Sequence, residues 1–249
     1  MMKIANGLEI LELITNNMGG SGVLCSTLIW DDSSAILVDA GLPGQLKNIR
    51  EEMEKAGVPF RKLSKIIITH HDMDHIGSLS SVVKAADKKI EVLAHAEEKP
   101  YIQGEKRPIK MTPEREAQME EQLNSMSEEK RNAMKEMYAN IPTSVDRTVE
   151  DGEELPDCGG IVVIYTPGHT PGHICLYLER YKTLITGDAM NVVDGQLHGP
   201  KPQFTFNMEE ALGSLKKLAQ YDVQRVICYH GGLFSDNANQ RIAELANGK

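Results

Sequence analysis

The sequence predicts an α/β fold, and three observations carry that expectation. Short β-prone runs alternate with amphipathic helical stretches along most of the chain. Several runs are apolar without interruption, such as the Ile66-Ile67-Ile68 segment, as expected of strands covered on both faces. No internal repeat and no low-complexity linker divides the 249 residues, so one domain over 1–249 is the simplest organisation.

The elements follow in order. Leu8 to Ile14, Val23 to Trp30 and Ala35 to Val38 read as strands, with Gly19-Gly20-Ser21-Gly22 as a hairpin turn between the first two. Gly41-Leu42-Pro43-Gly44 is a turn, and Gln45 to Ala56 an amphipathic helix ended by Gly57. A strand over Lys65–Thr69 precedes a helix over Ile76–Ala86 and a strand over Ile90–Ala94. Residues 96–147 break this rhythm as a helical insertion. Thr112-Pro113-Glu114 combines a hydroxyl cap, Pro at the first helical position and an acid near the positive end of the dipole. Ser127-Glu128-Glu129 restarts a second helix. Met111, Met119, Leu123, Met126, Met134 and Met137 form an apolar stripe there. It serves as core, as an adaptable cap over a pocket, or as a homodimer contact. Strands over Ile161–Thr166, Ile174–Leu178, Thr183–Thr186 and Arg225–Tyr229, with helices over Met208–Gln220 and Ser235–Ala246, complete the chain.

Composition narrows the partners. With 27 basic against 36 acidic residues the net charge is −9, which repels phosphate backbones, so no nucleic-acid partner is expected. No apolar stretch approaches the ~18 residues of a membrane span, and the first residues lack the features of a signal peptide. A cytoplasmic protein with no membrane partner is expected. Cys25, Cys158, Cys175 and Cys228 lie in or beside apolar runs without close pairing, as reduced core thiols do.

The chemistry sits where apolar runs end. Thr69-His70-His71-Asp72-Met73-Asp74-His75 packs three His and two Asp into six residues. So many polar groups at the end of a buried strand are costly unless they are paired or hold a metal. Three further runs each end in one such residue beside a Gly. These are His169 in Thr166-Pro167-Gly168-His169-Thr170-Pro171-Gly172-His173, Asp188 in Thr186-Gly187-Asp188, and His230 in Cys228-Tyr229-His230-Gly231. Imidazole and carboxylate donors suit Zn²⁺, Mn²⁺ or Fe²⁺. Strand-end loops along one sheet edge are where α/β scaffolds assemble such sites.

In these motifs, their order and their intervals, the chain resembles the metallo-β-lactamase superfamily of metallohydrolases. The resemblance spans nearly the whole chain, including Val38-Asp39-Ala40-Gly41. It implies a four-layered αβ/βα sandwich with the metal centre at one edge between two sheets. Position by position, it implies that His70, Asp72 and His169 hold one ion, that Asp74, His75 and His230 hold a second, and that Asp188 bridges them. Asp39 and His173 would sit behind the ligands and orient them.

One position departs from the family. Its pattern is His-x-His-x-Asp-His, whereas this chain has Asp72 at the second His. His71 stands at the variable position and is expected to point elsewhere. The added carboxylate makes the centre less positive and shifts preference toward harder metals. Zinc is the expected cofactor, as one or two ions, with Mn²⁺ or Fe²⁺ as alternatives.

The implied function is metal-dependent hydrolysis of a small-molecule substrate. A metal-bound hydroxide attacks an ester, lactone, thioester or amide carbonyl, with Asp74 as ligand and catalytic carboxylate. The small-substrate members resembled include N-acyl homoserine lactonases and hydroxyacylglutathione hydrolases. The lactonases carry a Tyr three residues after the bridging Asp, where this chain has Asn191. The basic cluster of the glutathione-binding tail is also missing after Asp188. The rival from another class is a metal-binding or sensing protein that has lost hydrolysis. Residues 96–147 and 189–206, where substrate choice would reside, hold no readable motif.

Overall fold

Period-two alternation sets the architecture of the computed structural model, which describes residues 1–17 and 20–248. The first sheet opens with β1 (Met2–Ala5), β2 (Leu8–Asn17), β3 (Gly20–Trp30) and β4 (Ala35–Val38), all antiparallel. Helix α1 (Leu46–Lys55) then leads to β5 (Leu63–Ile67). After α2 (Met73–Ile76) and α3 (Leu79–Lys84) comes β6 (Glu91–His95). The insertion supplies α4 (Lys99–Ile102), α5 (Pro113–Ser125) and α6 (Glu128–Ala139), and β7 (Arg147–Val149) closes the sheet. From β4 to β7 the strands are parallel and in sequence order. The turn expected at 19–22 falls partly on residues 18 and 19, outside the described residues.

The second sheet contains β8 (Glu154–Leu155), β9 (Ile161–Tyr165), β10 (Ile174–Leu178) and β11 (Thr183–Ile185). A separate hairpin of β12 (Asn191–Val193) and β13 (Gln196–His198) precedes α7 (Met208–Leu218). Strands β14 (Arg225–Cys228) and β15 (Gly232–Phe234) and helix α8 (Ala238–Ala246) end the chain. The order is β15-β14-β11-β10-β9-β8, with β11 and β14 parallel.

Three apolar layers explain the continuous hydrophobic runs. In β4, Ala35 and Leu37 face α1 and α3, where Ile49, Met53, Leu79 and Val82 meet them. Ile36 and Val38 face the other sheet, among Val163, Leu176, Ile185 and Ile227. In β14, Val226 and Cys228 turn outward to Leu215 and Ile242 of α7 and α8. Central strands such as β4 and β14 therefore bury both faces, and the result is the expected four-layered αβ/βα sandwich. All four cysteines are buried free thiols. Among the described residues no helix is long and apolar enough to cross a membrane.

Three differences from the sequence reading have local causes. Strand β1 was not expected, although Asn6-Gly7 is itself a hairpin signal and Gly7 takes φ 90° to turn the chain into β2. The single helix expected over 76–86 is broken at Gly77-Ser78. A Cβ at Gly77 would stand 2.3 Å from the Pro43 nitrogen, and Ser78 Oγ donates to the Leu42 carbonyl at 2.6 Å. The Met stripe is not core: no residue of α5 or α6 is buried. Their caps, Thr112 and Ser127, form as expected.

Candidate metal centre

Strand direction brings the motifs together. β4, β5 and β6 are parallel, so Asp39, the 70–75 loop and Glu98 follow strand ends on one edge. In the second sheet β9, β11 and β14 point one way, so His169, Asp188 and His230 also follow strand ends. The sheets are joined there by backbone hydrogen bonds from Cys25 N–H to the Tyr229 carbonyl (2.9 Å) and from Ile174 N–H to the Thr69 carbonyl (3.1 Å).

All seven expected donors converge in two adjoining groups. Donor atoms of His70, Asp72, His169 and Asp188 lie within 4.8 Å of one another, as do those of Asp74, His75 and His230. Asp188 stands between the groups. Its carboxylate is 3.4 Å from His169 Nε2, 3.3 Å from His75 Nε2 and 3.4 Å from His230 Nε2. Asp74 Oδ2 is 3.3 Å from His230 Nε2, and Asp72 Oδ2 is 3.0 Å from His169 Nε2. Asp72 occupies the N-cap position of α2 yet makes no capping bond, because its side chain turns into this cluster.

A rear layer fixes the rings. The buried Asp39 accepts from Thr69 N–H (2.9 Å), from Thr69 Oγ1–H (2.8 Å) and from His75 Nδ1–H (2.9 Å). Thr69 Oγ1 in turn accepts from His70 Nδ1–H at 3.0 Å. With Nδ1 engaged on each ring, both Nε2 atoms are aimed inward at the cluster, an orientation assigned from the network. His173 accepts from the Asp188 N–H at Nε2 (3.1 Å) and donates through Nδ1 to Thr166 Oγ1 (2.9 Å). A Cβ on Gly187 would meet that His173 Nε2 at 2.8 Å, and its φ of 48° is one glycine accepts freely.

His71 points away from the centre, as its position implied. Its Nδ1–H bonds the fully buried Glu98 Oε2, its Nε2 accepts from Ile109 N–H (3.4 Å), and its ring stacks on Tyr101. His95 stacks on Tyr165, and His198 is exposed in β13.

Three other residues matter that sequence reasoning passed over. Glu98 Oε1 accepts from Thr170 Oγ1–H (2.7 Å) and Gly172 N–H (2.8 Å), so one carboxylate clamps both ligand loops. Buried Tyr229 packs its ring on His75 and donates to the Asp74 carbonyl at 2.5 Å. Lys110, from the insertion, reaches Asp72 Oδ2 (2.5 Å) and His169 Nε2 (2.7 Å). Only Tyr229 had a local signal, its place beside His230.

The electrostatics are those of a cation site. Burial disfavours the imidazolium of His75, but the carboxylates of Asp39, Asp188 and Asp74 raise its pKa well above the ordinary value. His230 is raised to about 9, where Asp188 and Asp74 outweigh burial. Burial opposes the charge of Asp188, yet His75, His230 and His169 hold it well below the usual carboxylate range. Burial, with His75 beside it, pushes His70 well down. His70 Nε2, His75 Nε2 and Asp188 Oδ1 are buried without any hydrogen-bond partner. Each such atom costs about 1–3 kcal/mol unless something positive faces it. Nitrogen and carboxylate donors with unused lone pairs, aimed at common points, fit a divalent metal ion.

A cavity of about 1000 Å³ opens above these residues. Asp72, Asp74, Asp188, His169 and His230 form its floor, while Lys110, Met111, Arg115, Met119 and Tyr138 of the insertion form one wall. Met190, Lys201 and Phe204 line the cavity as well.

With fold and site in view, the comparisons agree. The family model of the metallo-β-lactamase superfamily matches residues 25–230. The chain belongs to that superfamily. It is 31% identical over 227 residues to the probable metallo-hydrolase YflN of Bacillus subtilis, covering 86% of this chain and 82% of that one. A shorter stretch of 111 residues, 44% of this chain and 32% of the other, is 24% identical to the atrochrysone carboxyl ACP thioesterase dmxR1 of Cryptosporiopsis. The crystal structure of the metallo-β-lactamase family protein TTHA1429 from Thermus thermophilus superposes with a TM-score of 0.71 at 22% identity, over 98% of this chain and 79% of that one. The superfamily and the donor cluster together support a metal-dependent hydrolase.

Proposed function

We propose that the chain hydrolyses an ester, lactone, thioester or amide carbonyl in a small substrate, at a centre of one or two zinc ions. The ligands would be His70, Asp72 and His169 on one side, Asp74, His75 and His230 on the other, and Asp188 between. The observation that carries this reading is the set of orphaned buried atoms, His70 Nε2, His75 Nε2 and Asp188 Oδ1, beneath an open cavity. A bound divalent ion supplies Lewis acidity and an acidified water.

The chain's own groups do the rest. Asp74 Oδ2 borders the cavity and is placed to accept a proton and pass it on. No thiol competes as nucleophile: burial pushes Cys25 and Cys158 up to about 11 and Cys175 and Cys228 up to about 12. The cavity wall supports a substrate with an apolar portion, through Met111, Met119, Tyr138 and Phe204. Lys106, Arg107, Arg115 and Lys201 also line this cavity in a chain of net charge −9, which favours an anionic group on that substrate. The partial likeness to a carboxyl ACP thioesterase supports including a thioester in the substrate panel.

The test is metal analysis of purified protein with turnover of ester, lactone, thioester and amide substrates, against a phosphodiester control. Chelation should abolish carbonyl hydrolysis, and Asp74→Asn should reduce it by about 10²–10⁴. Full metal loading with no turnover on any substrate would replace this reading with a metal-binding or sensing role.

A further inference from the structure

We propose that the Lys110 ammonium is a resident cation of the His70–Asp72–His169 half of the centre. The chain then takes one metal ion at Asp74, His75, His230 and Asp188, and a second only when Lys110 withdraws. The proposal rests on the metal reading above and adds to it a stoichiometry and the residue that sets it.

Geometry carries the argument. Asp72 Oδ2 and His169 Nε2 lie only 3.0 Å apart, and Lys110 Nζ stands 2.5 Å from the first and 2.7 Å from the second. An ammonium has only donors, so both atoms accept from it. Two acceptors gathered around one positive centre are arranged as ligands are around an ion. The other half differs: among the described residues no lysine pairs with Asp74, His75 or His230, whereas Lys110 holds two of the three acceptors of the first half and leaves only His70 Nε2 unpartnered there. An ion between Asp72 and His169 would need the lone pairs that Lys110 uses, and the two positive charges would repel.

The position is built rather than accidental. The Lys110 side chain is only 19% exposed, and its segment is tied at both ends. Ile109 N–H donates to His71 Nε2 at 3.4 Å, and Arg115 donates to the Lys110 carbonyl at 3.0 Å. The departure at residue 72 also acquires a cause. A neutral imidazole there would offer an ammonium no charge to pair with, whereas a carboxylate does. Asp72 and Lys110, 38 residues apart, thus account for each other.

The experiment is calorimetric titration of the full chain with Zn²⁺ alone, with elemental analysis after dialysis. The wild-type protein should retain one ion per chain, and Lys110→Met should retain two. If Lys110 fills its half-site in at least about nine molecules of ten, the second ion should bind Lys110→Met at least ~tenfold more tightly than wild type. Asp72→His removes the partner instead of the lysine and should also admit the second ion. In wild type, acylation of the Lys110 amine, read by mass spectrometry, should rise only as the second equivalent of Zn²⁺ is added. Two ions of equal affinity in wild type, or one ion in both variants with circular dichroism unchanged, would overturn the proposal. No ion in any of the three proteins would overturn the metal centre itself.

Discussion

Asp39 and His75 form a pair 36 residues apart in which one carboxylate oxygen accepts from Nδ1 at 2.9 Å and leaves Nε2 facing Asp188. Asp39 adopts φ 62°, a conformation Asn also tolerates, so Asp39→Asn removes the charge without straining the turn. Metal affinity should fall roughly 10- to 100-fold, as for other losses behind a ligating His. Competition with a chromogenic chelator measures it, and unchanged affinity would remove Asp39 from the site's support.

His75→Ala and Asp188→Ala should each lose most of the bound metal, because each removes a buried, unpartnered donor. Elemental analysis after reconstitution decides the matter. Wild-type protein holding under about a tenth of an equivalent would refute the assignment outright.

Glu98 is buried and accepts from Thr170 Oγ1, Gly172 N–H and His71 N–H, with His71 Nδ1 beside it. Glu98→Ala leaves these donors without an acceptor and should destabilise the fold by about 3–5 kcal/mol in urea unfolding. Glu98→Gln, which keeps the shape, should cost less. Equal, small effects from both would mean that the clamp carries little energy.

The cap is tested by replacing residues 112–140 with a short Gly/Ser linker. Arg115, Met119 and Tyr138 leave the cavity wall, so KM should rise at least ~tenfold for any substrate found, the loss expected from one buried apolar side chain. Metal binding should survive, because none of the seven donors lies in that span. Unchanged kinetics with a shift from dimer to monomer would assign the Met stripe to a subunit contact instead.

His173 gives a pH signature. Burial, with His169 beside it, lowers its pKa to about 3 from the 6.5 of the unfolded chain. Between these values the unfolded state holds the extra proton, so stability is full above about pH 6.5 and falls as pH drops toward 3. At about 1.4 kcal/mol per pH unit, wild type should lose about 2–3 kcal/mol between pH 6.5 and 4.5 from this residue. His173→Gln should lose less over the same interval. Parallel losses in both proteins would place the acid sensitivity elsewhere.

The sequence by itself indicated the layers and the candidate metal donors. Uninterrupted apolar runs pointed to two covered faces, as Ala35–Val38 shows by feeding alternate residues into two separate cores. His70, Asp72, Asp74, His75, His169, Asp188 and His230 were recognisable because each follows an apolar run at a turn. Strand order and direction then carry such residues to one edge. These are local patterns, and local patterns are written in neighbouring residues.

Only the tertiary structure decided what surrounds them. Glu98 and Lys110 stand in polar stretches indistinguishable from solvated surface, and their meaning comes from partners 27 to 74 residues away in the chain. The Met stripe had a helical period but no partner in the sequence, and that Met111 and Met119 of it line the cavity follows from where the insertion leaves β6 and returns to β7. Periodicity reports which face of an element is apolar. What that face or that charge meets is decided by packing at long range, which no single segment encodes.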